Sequence, residues 1–446
     1  MLILKIKLKF FYDKQYGFRK GRSTEHATLE LIDGLIKDMD NGDIPICFFI
    51  DLSKAFDTLN HEVHLEKLNH HGVLNTAFKL FENYLSNRKQ YVDFDGAKSD
   101  YLFMVTGVPQ GSILGPLLFL IYMNDISNSS TLFKFILFAD DTTLKTSINI
   151  AKQDQRSAKD LSNIINYEFN KVNTWLKGNK LSLNIEKTKF MVFHKKNKNV
   201  PQIDIRINGK LIEQVDDFCF LGLTIDSALD WSAHIRKISG KLNSAIGILN
   251  KLKYTAPEKM KVLVYNALFV SHINYCLLAW GYKIEALRPF QKSAVRIVTK
   301  SDYLAHSEPI LKDLNLLKLD DILEQKKIKF YFKYLKNDLP KYFLDFDMKL
   351  NSDYHDHNTR HKNDFRPNKV NREYAEKCIR NELPHFINNL EDSLKSKFKT
   401  HSLISILKYH KKLRISEYNF ECSDHLCYAC LPKDHERFII NETFQE

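Results

Sequence analysis

Apolar residues recur at Leu29, Ile32, Leu35, Ile36 and Met39, which is the spacing of one face of a helix over Thr28 to Met39. Asn41-Gly42-Asp43 ends that pattern. Ile46 to Ile50 is an unbroken apolar run and predicts a buried strand, and Asp57 to His71 predicts a helix closed by Gly72. Phe133 to Leu137 and Thr142 to Thr146 flank Ala139-Asp140-Asp141 and predict a β-hairpin. An amphipathic helix follows, carrying Leu161, Ile164, Ile165, Phe169, Val172, Trp175 and Leu176 and stopped by Gly178. Leu181 to Phe193 reads as extended, Lys195 to Pro201 as a basic polar loop, and Val215 to Ile225 as a pair of strands. From Trp231 the pattern turns helical, over Lys241 to Lys253, Glu258 to Tyr275 and on to about Leu335. Asn351 to Arg372, rich in Asn, Asp, His, Arg and Lys, predicts an exposed linker before a small polar C-terminal region. The longest apolar stretch, Ile113 to Met123, is too short to span a bilayer and contains Pro116.

Charge adds a direction to this picture. Lys and Arg number 66 against 54 Asp and Glu, a net +12 that favours a polyanionic partner. The seven cysteines are an odd number and mostly scattered, which argues against a disulfide framework and for a reducing compartment. Near the N-terminus Lys5, Lys7 and Lys9 interrupt the apolar residues, unlike a secretory signal. The expectation is an intracellular protein, nuclear or cytoplasmic, not secreted and with no membrane partner.

The candidate chemistry lies in acidic residues at strand ends. Asp51 follows the apolar strand, and Asp140 and Asp141 sit at the hairpin turn. Nucleotidyl transfer needs such carboxylates, because two Mg²⁺ ions must be clamped by hard oxygen ligands around the attacking and leaving oxygens. Each element alone is better explained as turn or cap chemistry.

Read in order, the motifs narrow the choice. They are Gln15-Tyr-Gly-Phe-Arg-Lys-Gly-Arg-Ser-Thr24, Phe49-Ile-Asp-Leu-Ser-Lys-Ala-Phe-Asp57, Gly107-Val-Pro-Gln-Gly-Ser-Ile-Leu-Gly-Pro116, Tyr122-Met-Asn-Asp-Ile126, Phe138-Ala-Asp-Asp-Thr142, Leu181-Ser-Leu-Asn-Ile-Glu-Lys-Thr188 and Phe220-Leu-Gly222. The series resembles the reverse transcriptases of non-LTR (LINE-type) retrotransposons, particularly the jockey-like group, from about Gln15 to Trp231 and more loosely to about Leu335.

The resemblance implies an RNA-directed DNA polymerase with RNA template, DNA primer or target and dNTPs as partners. Asp51 and Asp140 correspond to the metal-binding pair, with Asp141 beside them and the Leu52 carbonyl as a further Mg²⁺ ligand; Mn²⁺ is a possible substitute. Phe56 stands at the steric gate that excludes a 2′-hydroxyl, or is plain core. Gln110 and Gly111 resemble the loop lining the template base and incoming sugar, where Gly107, Gly111 and Gly115 allow close backbone approach to a substrate. Pro116 suits the first turn of the helix that follows. Lys187 corresponds to the lysine near the departing pyrophosphate, with Lys189 as a rival. Phe220, Leu221 and Gly222 resemble the primer grip. Arg19 is placed to meet triphosphate charge or is a surface arginine, and Arg88 lies in a family-like stretch near template. The run His234 to Lys261, with Arg236, Lys237, Lys241, Lys251, Lys253, Lys259 and Lys261, resembles a thumb tracking the nucleic-acid backbone.

The fold class implied is α+β, a right-hand polymerase palm with an antiparallel sheet. The expected divisions are remnant fingers at 1–43, palm at 44–226, helical thumb at 227–345 and a polar linker with C-terminal region at 346–446. Family members carry fuller fingers before the first motif and an endonuclease upstream, so the expectation is an N-terminally truncated chain. Two rivals stay open, a catalytically silent relic that at most binds nucleic acid and an RNA-dependent RNA polymerase. Phe56 and Ala139 argue against the second. Near the end Cys422, Cys427, Cys430 and His435 supply four possible Zn²⁺ ligands, or are unliganded residues of a polar tail.

Overall fold

The structure is a computed structural model that describes residues 10–148, 158–195, 202–346, 348–354 and 360–418. The candidate zinc ligands Cys422, Cys427, Cys430 and His435 lie outside the described residues. Contacts divide the chain into two compact units. The described residues of Met1–Asp230, Asn337–Asn358 and Arg366–Glu382 form the first, and those of Trp231–Lys336, Thr359–Phe365 and Leu383–Glu446 the second.

The first unit begins with α1 (Thr24–Asp40), capped by the Ser23 hydroxyl, which accepts from the His26 amide. Its apolar stripe is buried as its spacing predicts, but Glu30, Asp33 and Asp38 are covered too. Each is satisfied. Glu30 accepts from the Tyr16 hydroxyl and pairs with Lys14 at 2.6 Å, and Asp38 pairs with Lys145 at 2.9 Å. Asp33 accepts from the Tyr342 hydroxyl at 2.5 Å and from Arg380 at 3.1 Å. Asn371 donates to Asp40 at 3.1 Å. These bonds explain why two segments expected in the thumb and the C-terminal region, including part of the expected free linker, return to the first unit: buried carboxylates need partners.

Next come β1 (Ile44–Ile50), α2 (His61–His70) and α3 (Asn75–Leu85). The helix expected from Asp57 starts later, because Lys54 to Thr58 forms a turn and Asn60 caps α2 by accepting from the Val63 amide at 3.0 Å. Two small hairpins follow, β2 (Lys89–Gln90) with β5 (Leu102–Phe103) and β3 (Asp93–Phe94) with β4 (Ala97–Lys98). Then come α4 (Leu114–Met123), with Pro116 in its first turn as expected, β6 (Lys134–Phe138), β7 (Asp141–Ile148) and α5 (Ala158–Gly178). β8 (Lys189–Val192) is shorter than the extended run expected. β9 (Arg206–Ile207), β10 (Lys210–Leu211), β11 (Glu213–Gln214) and the hairpin of β12 (Asp217–Phe220) and β13 (Leu223–Asp226) complete the set.

The central sheet has the order β11-β8-β1-β7-β6, antiparallel except for β11 against β8. One face carries Phe48, Leu144, Phe135 and Phe190, packed with Phe133 and with Phe169 of α5. The opposite face carries Cys47, Phe49 and Lys145, and α1 covers part of it.

In the second unit α6 (Ser232–Lys251) buries His234, Ile238, Leu242, Ala245 and Leu249 and leaves Arg236, Lys237 and Lys241 exposed. α7 (Glu258–Val264) runs through a π-helical stretch, Tyr265–Val270, into α8 (Ser271–Asn274). Lys261 does not join the basic surface expected of it. It is buried, and its ammonium donates to the Lys253 carbonyl at 3.3 Å. The helices Leu319–Leu335 and Leu403–Ser416 are tied by Glu324, which meets His410 at 3.0 Å and Arg414 at 2.8 Å. Among the described residues no single helix is long and apolar enough to cross a membrane.

Candidate active site

Strand alternation places Phe49 and Asp51 on one face of β1, and Asp141 and Thr143 on the same face of β7. The register pairs Ile50 with Thr142, so one further step sets Asp51 opposite Asp141. These four residues, Lys187 and Phe218 to Leu221 of the β12–β13 hairpin line one cavity of about 110 Å³. The structure therefore brings together Asp51, Asp141, Lys187, Phe220 and Leu221, which stand far apart in sequence. Asp140 occupies the hairpin turn itself.

The carboxylates sense one another. Asp141 keeps one side open to solvent, yet its pKa is pushed up to about 6. The crowding of protein around it is the larger cause, and the negative charges of Asp140 and Asp51 add to it. Among the described residues no group of three or more His, Cys, Asp or Glu side chains is arranged to hold a metal ion. The donor set nevertheless suits a hard divalent cation: carboxyl oxygens from two strand ends, under a mutual repulsion that a cation would relieve.

The backbone around Asp51 is fixed by the segment after α5. The Asn184 amide donates to the Asp51 carbonyl at 2.9 Å, and the Ser53 amide donates to the Ser182 carbonyl at 2.8 Å. Neither bond uses the carbonyl of Leu52, which lies between them. The Thr188 hydroxyl accepts from the Asp51 amide at 3.4 Å and donates to the Asn184 carbonyl at 2.7 Å. The Lys187 amide donates to the Asn184 side chain at 3.2 Å. Lys187 is exposed at the cavity, whereas its rival Lys189 pairs with Glu213 at 2.5 Å.

The turn bearing Asp140 is clasped by the first motif. Gln15 is buried, and its side-chain oxygen accepts from the Gly17 amide at 2.9 Å and the Ala139 amide at 3.0 Å. The Tyr16 amide donates to Leu137 at 2.7 Å, and the Leu137 amide donates to Lys14 at 2.9 Å. A β-carbon on Gly17 would lie 2.4 Å from the Ala139 nitrogen, so only glycine fits. Arg19 is turned onto its own loop: it donates to Tyr12 at 2.8 Å and Gln15 at 3.3 Å and lies over the Phe11 ring. Sequence reading credited this motif with substrate contact and missed Gln15 and Gly17 as supports of the carboxylates. The available signal was a polar side chain beside a glycine within a tightly matched motif. Asn184 and Thr188 were missed because Lys187 drew the chemical reading of theirs.

Phe56 is half-buried and stacks on Phe119 with centroids 4.3 Å apart. Gln110 donates to the Asp57 carboxylate at 2.9 Å. A β-carbon on Gly107 would lie 2.7 Å from the Asp57 carbonyl oxygen, so glycine lets this loop pack closely on the Phe56-Asp57 turn. The Gly115 amide donates to the Ser112 hydroxyl at 2.9 Å, whereas a β-carbon on Gly111 would meet nothing within 4 Å. Beside them a cleft of about 670 Å³ is lined by Lys54, Arg88, Lys89, Phe103 and Gln110, among others. Its outer wall is the double hairpin β2–β5, where Tyr91, Phe94, Tyr101 and Phe103 are all exposed. In the β12–β13 hairpin Leu221 and Gly222 form the turn with φ of 45° and 83°. Phe218 stacks on Phe49 at 4.0 Å and 10°.

Comparison with known proteins identifies the family. Residues 2–225 match the family described as reverse transcriptase (RNA-dependent DNA polymerase). The RNA-directed DNA polymerase from mobile element jockey of Drosophila melanogaster is 24% identical, over 70% of this chain and 34% of that protein. The probable RNA-directed DNA polymerase from transposon BS of the same species is 26% identical, over 68% and 34%. The probable enzyme from its X-element is 23% identical, over 72% and 35%. The chain thus spans about a third of the length of the curated relatives it matches. A solved telomerase from Candida tropicalis, in complex with a fragment of telomeric RNA, is a looser likeness with a TM-score of 0.37 and 11% identity, over 94% of this chain and 55% of that one. The motifs, the family match and the relatives agree: this chain belongs to the reverse transcriptase family, alongside the RNA-directed DNA polymerases of non-LTR mobile elements.

Proposed function

We propose that this chain adds deoxynucleotides to a primer 3′-hydroxyl under the direction of an RNA template. The observation that carries the reading is the single cavity holding Asp51, Asp141, Lys187 and the Phe220–Leu221 turn. On this reading the sheet-bearing core is the polymerase palm, the residues before β1 belong to the fingers, and α6 is the thumb helix.

Asp51, Asp140 and the Leu52 carbonyl would hold two Mg²⁺ ions, or Mn²⁺ in their place, with Asp141 beside them. When bound, these ions lower the charge barrier at the attacking and leaving oxygens. The protein's own residues set the geometry. Leu221 and Phe220 hold the primer end so that its 3′-oxygen faces the α-phosphorus of the dNTP. The 3′-hydroxyl loses its proton to solvent as the new P–O bond forms, the bond to pyrophosphate breaks, and Lys187 gives the leaving group a proton. Gln110 and Gly111 form the open side where the paired base and sugar lie. The Phe56 ring, held against Phe119, leaves no room for a 2′-hydroxyl. Arg88, Lys89 and the exposed rings of the double hairpin offer cation and stacking contacts to a single template strand. Arg236, Lys237 and Lys241 meet phosphates without reading sequence.

The test is primer extension on RNA and DNA templates with dNTPs or rNTPs. Wild type extends with dNTPs on RNA, and Phe56→Ala gains rNTP incorporation while keeping dNTP addition. Extension by wild type with rNTPs as readily as dNTPs would overturn the assignment.

A further inference from the structure

The second unit holds a cavity of about 280 Å³ that the polymerase reading does not use. Its floor is apolar, with Tyr265, Leu316 and Leu317 all buried. Asn266 and Asn274 bring side-chain amides to its wall. Its cations are Lys326, Lys329 and Lys411, and no carboxylate is among its lining residues. The slot is built rather than incidental. The stretch Tyr265–Val270 is π-helical, a rare widening of a helix found frequently at functional sites. Tyr265 is fixed by stacking on Phe269 at 5.0 Å and by a 2.9 Å bond from Gln291. The two helices of the opposite wall are held by the Glu324, His410 and Arg414 network.

We propose that this slot seats one unpaired base of a single-stranded RNA, with the adjoining phosphates on the lysine rim. The size suits a fragment, since pockets for larger ligands begin at about 300 Å³. Amides beside an apolar floor match a flat base with donors and acceptors on its edge. A rim carrying lysines without carboxylates matches the phosphates on either side of the base. A paired base cannot enter, so the site discriminates single strands from duplex. The inference rests on the polymerase reading only for the identity of the strand, which becomes the template RNA.

The test uses the full chain and a single-stranded RNA oligonucleotide carrying 5-iodouridine, crosslinked by light and mapped by mass. Wild type crosslinks at Tyr265 or its neighbours. Lys326→Glu/Lys329→Glu/Lys411→Glu weakens single-strand binding about tenfold and lowers the salt slope by about 2, since each phosphate contact contributes about 0.7. Val270→Trp fills the slot, removes the crosslink and leaves the salt slope unchanged. Wild-type crosslinks mapping elsewhere, or a crosslink that survives Val270→Trp, would overturn the proposal. So would loss of binding to phosphatidylserine vesicles in the charge variant with RNA binding intact. Primer extension on the same preparations separates the two readings. Crosslinking at the slot without extension leaves the slot standing and the polymerase assignment fallen; extension without crosslinking at the slot does the reverse.

Discussion

The two hairpins that face each other across the candidate site are held in different ways. Each places a residue with a β-carbon in the left-handed region, Ala139 at φ 56° in one and Leu221 at φ 45° in the other. Such a conformation costs about 1–2 kcal/mol, so each turn needs outside support. The Ala139-Asp140 turn receives directional support: the Ala139 amide donates a hydrogen bond to the Gln15 side chain, and Gly17 packs closely against it. The Leu221-Gly222 turn receives ring contacts, Phe218 stacked on Phe49 and Phe220 tilted against it at 6.0 Å. Hydrogen bonds fix direction, while stacked faces tolerate sliding. In the proposed reaction the first hairpin must hold charge still, and the second must release a strand after each addition.

The largest effect should come from Gly17→Ala. Its new methyl meets the Ala139 backbone, so the carboxylate turn shifts or the clasp opens, at a cost of about 3 kcal/mol. Extension should fall at least a hundredfold with primer affinity unchanged, as read from kcat against KM. Next is Gln15→Leu, which strands two buried amide donors and costs about 2 kcal/mol in denaturant unfolding. A loss no larger than that of an ordinary surface change would show that the clasp is unimportant.

His64 provides a control in neither hairpin. It is fully buried, and its pKa is lowered to about 3, by burial first and then by Lys67 and His61. Neutral His64 is compatible with folding and charged His64 is not, so its contribution is fully present above pH 6.5 and is lost as pH falls toward 3. Between pH 7 and pH 5 it costs about 2 kcal/mol of stability. His64→Leu should flatten that slope in unfolding measurements at several pH values, and an unchanged slope would remove the assignment. The smallest effect is expected from Leu221→Gly. Relief of the left-handed strain, less the entropy of glycine, should stabilise by about 0.5 kcal/mol while the KM for primer rises. A rise in activity instead would deny that turn a role in holding the primer.

Much of this was legible in the sequence. The apolar pattern located α1 and α5, whose buried faces repeat regularly, β1, an unbroken run buried on both faces, and the carboxylate and β12–β13 hairpins. Order and spacing of motifs gave the family. What periodicity cannot show is whether a polar face is also covered. The apolar spacing of α1 says nothing of its carboxylates, yet Tyr342 and Arg380 reach Asp33 from more than 300 residues away in sequence. Lys261 failed for the same reason, a cation read as surface whose partner is a backbone carbonyl. Within the site, the chemistry-bearing side chains were readable by type, and their supports were not. Gln15, Asn184 and Thr188 act on backbone amides and carbonyls of other segments, and no local pattern records such bonds.

The most direct test of the central claim is primer extension on an annealed RNA template with Mg²⁺ and dNTPs, comparing wild type with Asp140→Ala/Asp141→Ala. Extension by wild type and none by the double variant, with equal template–primer binding, is the predicted result. Equal extension by both proteins, or binding without extension by wild type, would contradict the assignment of nucleotide transfer to these carboxylates.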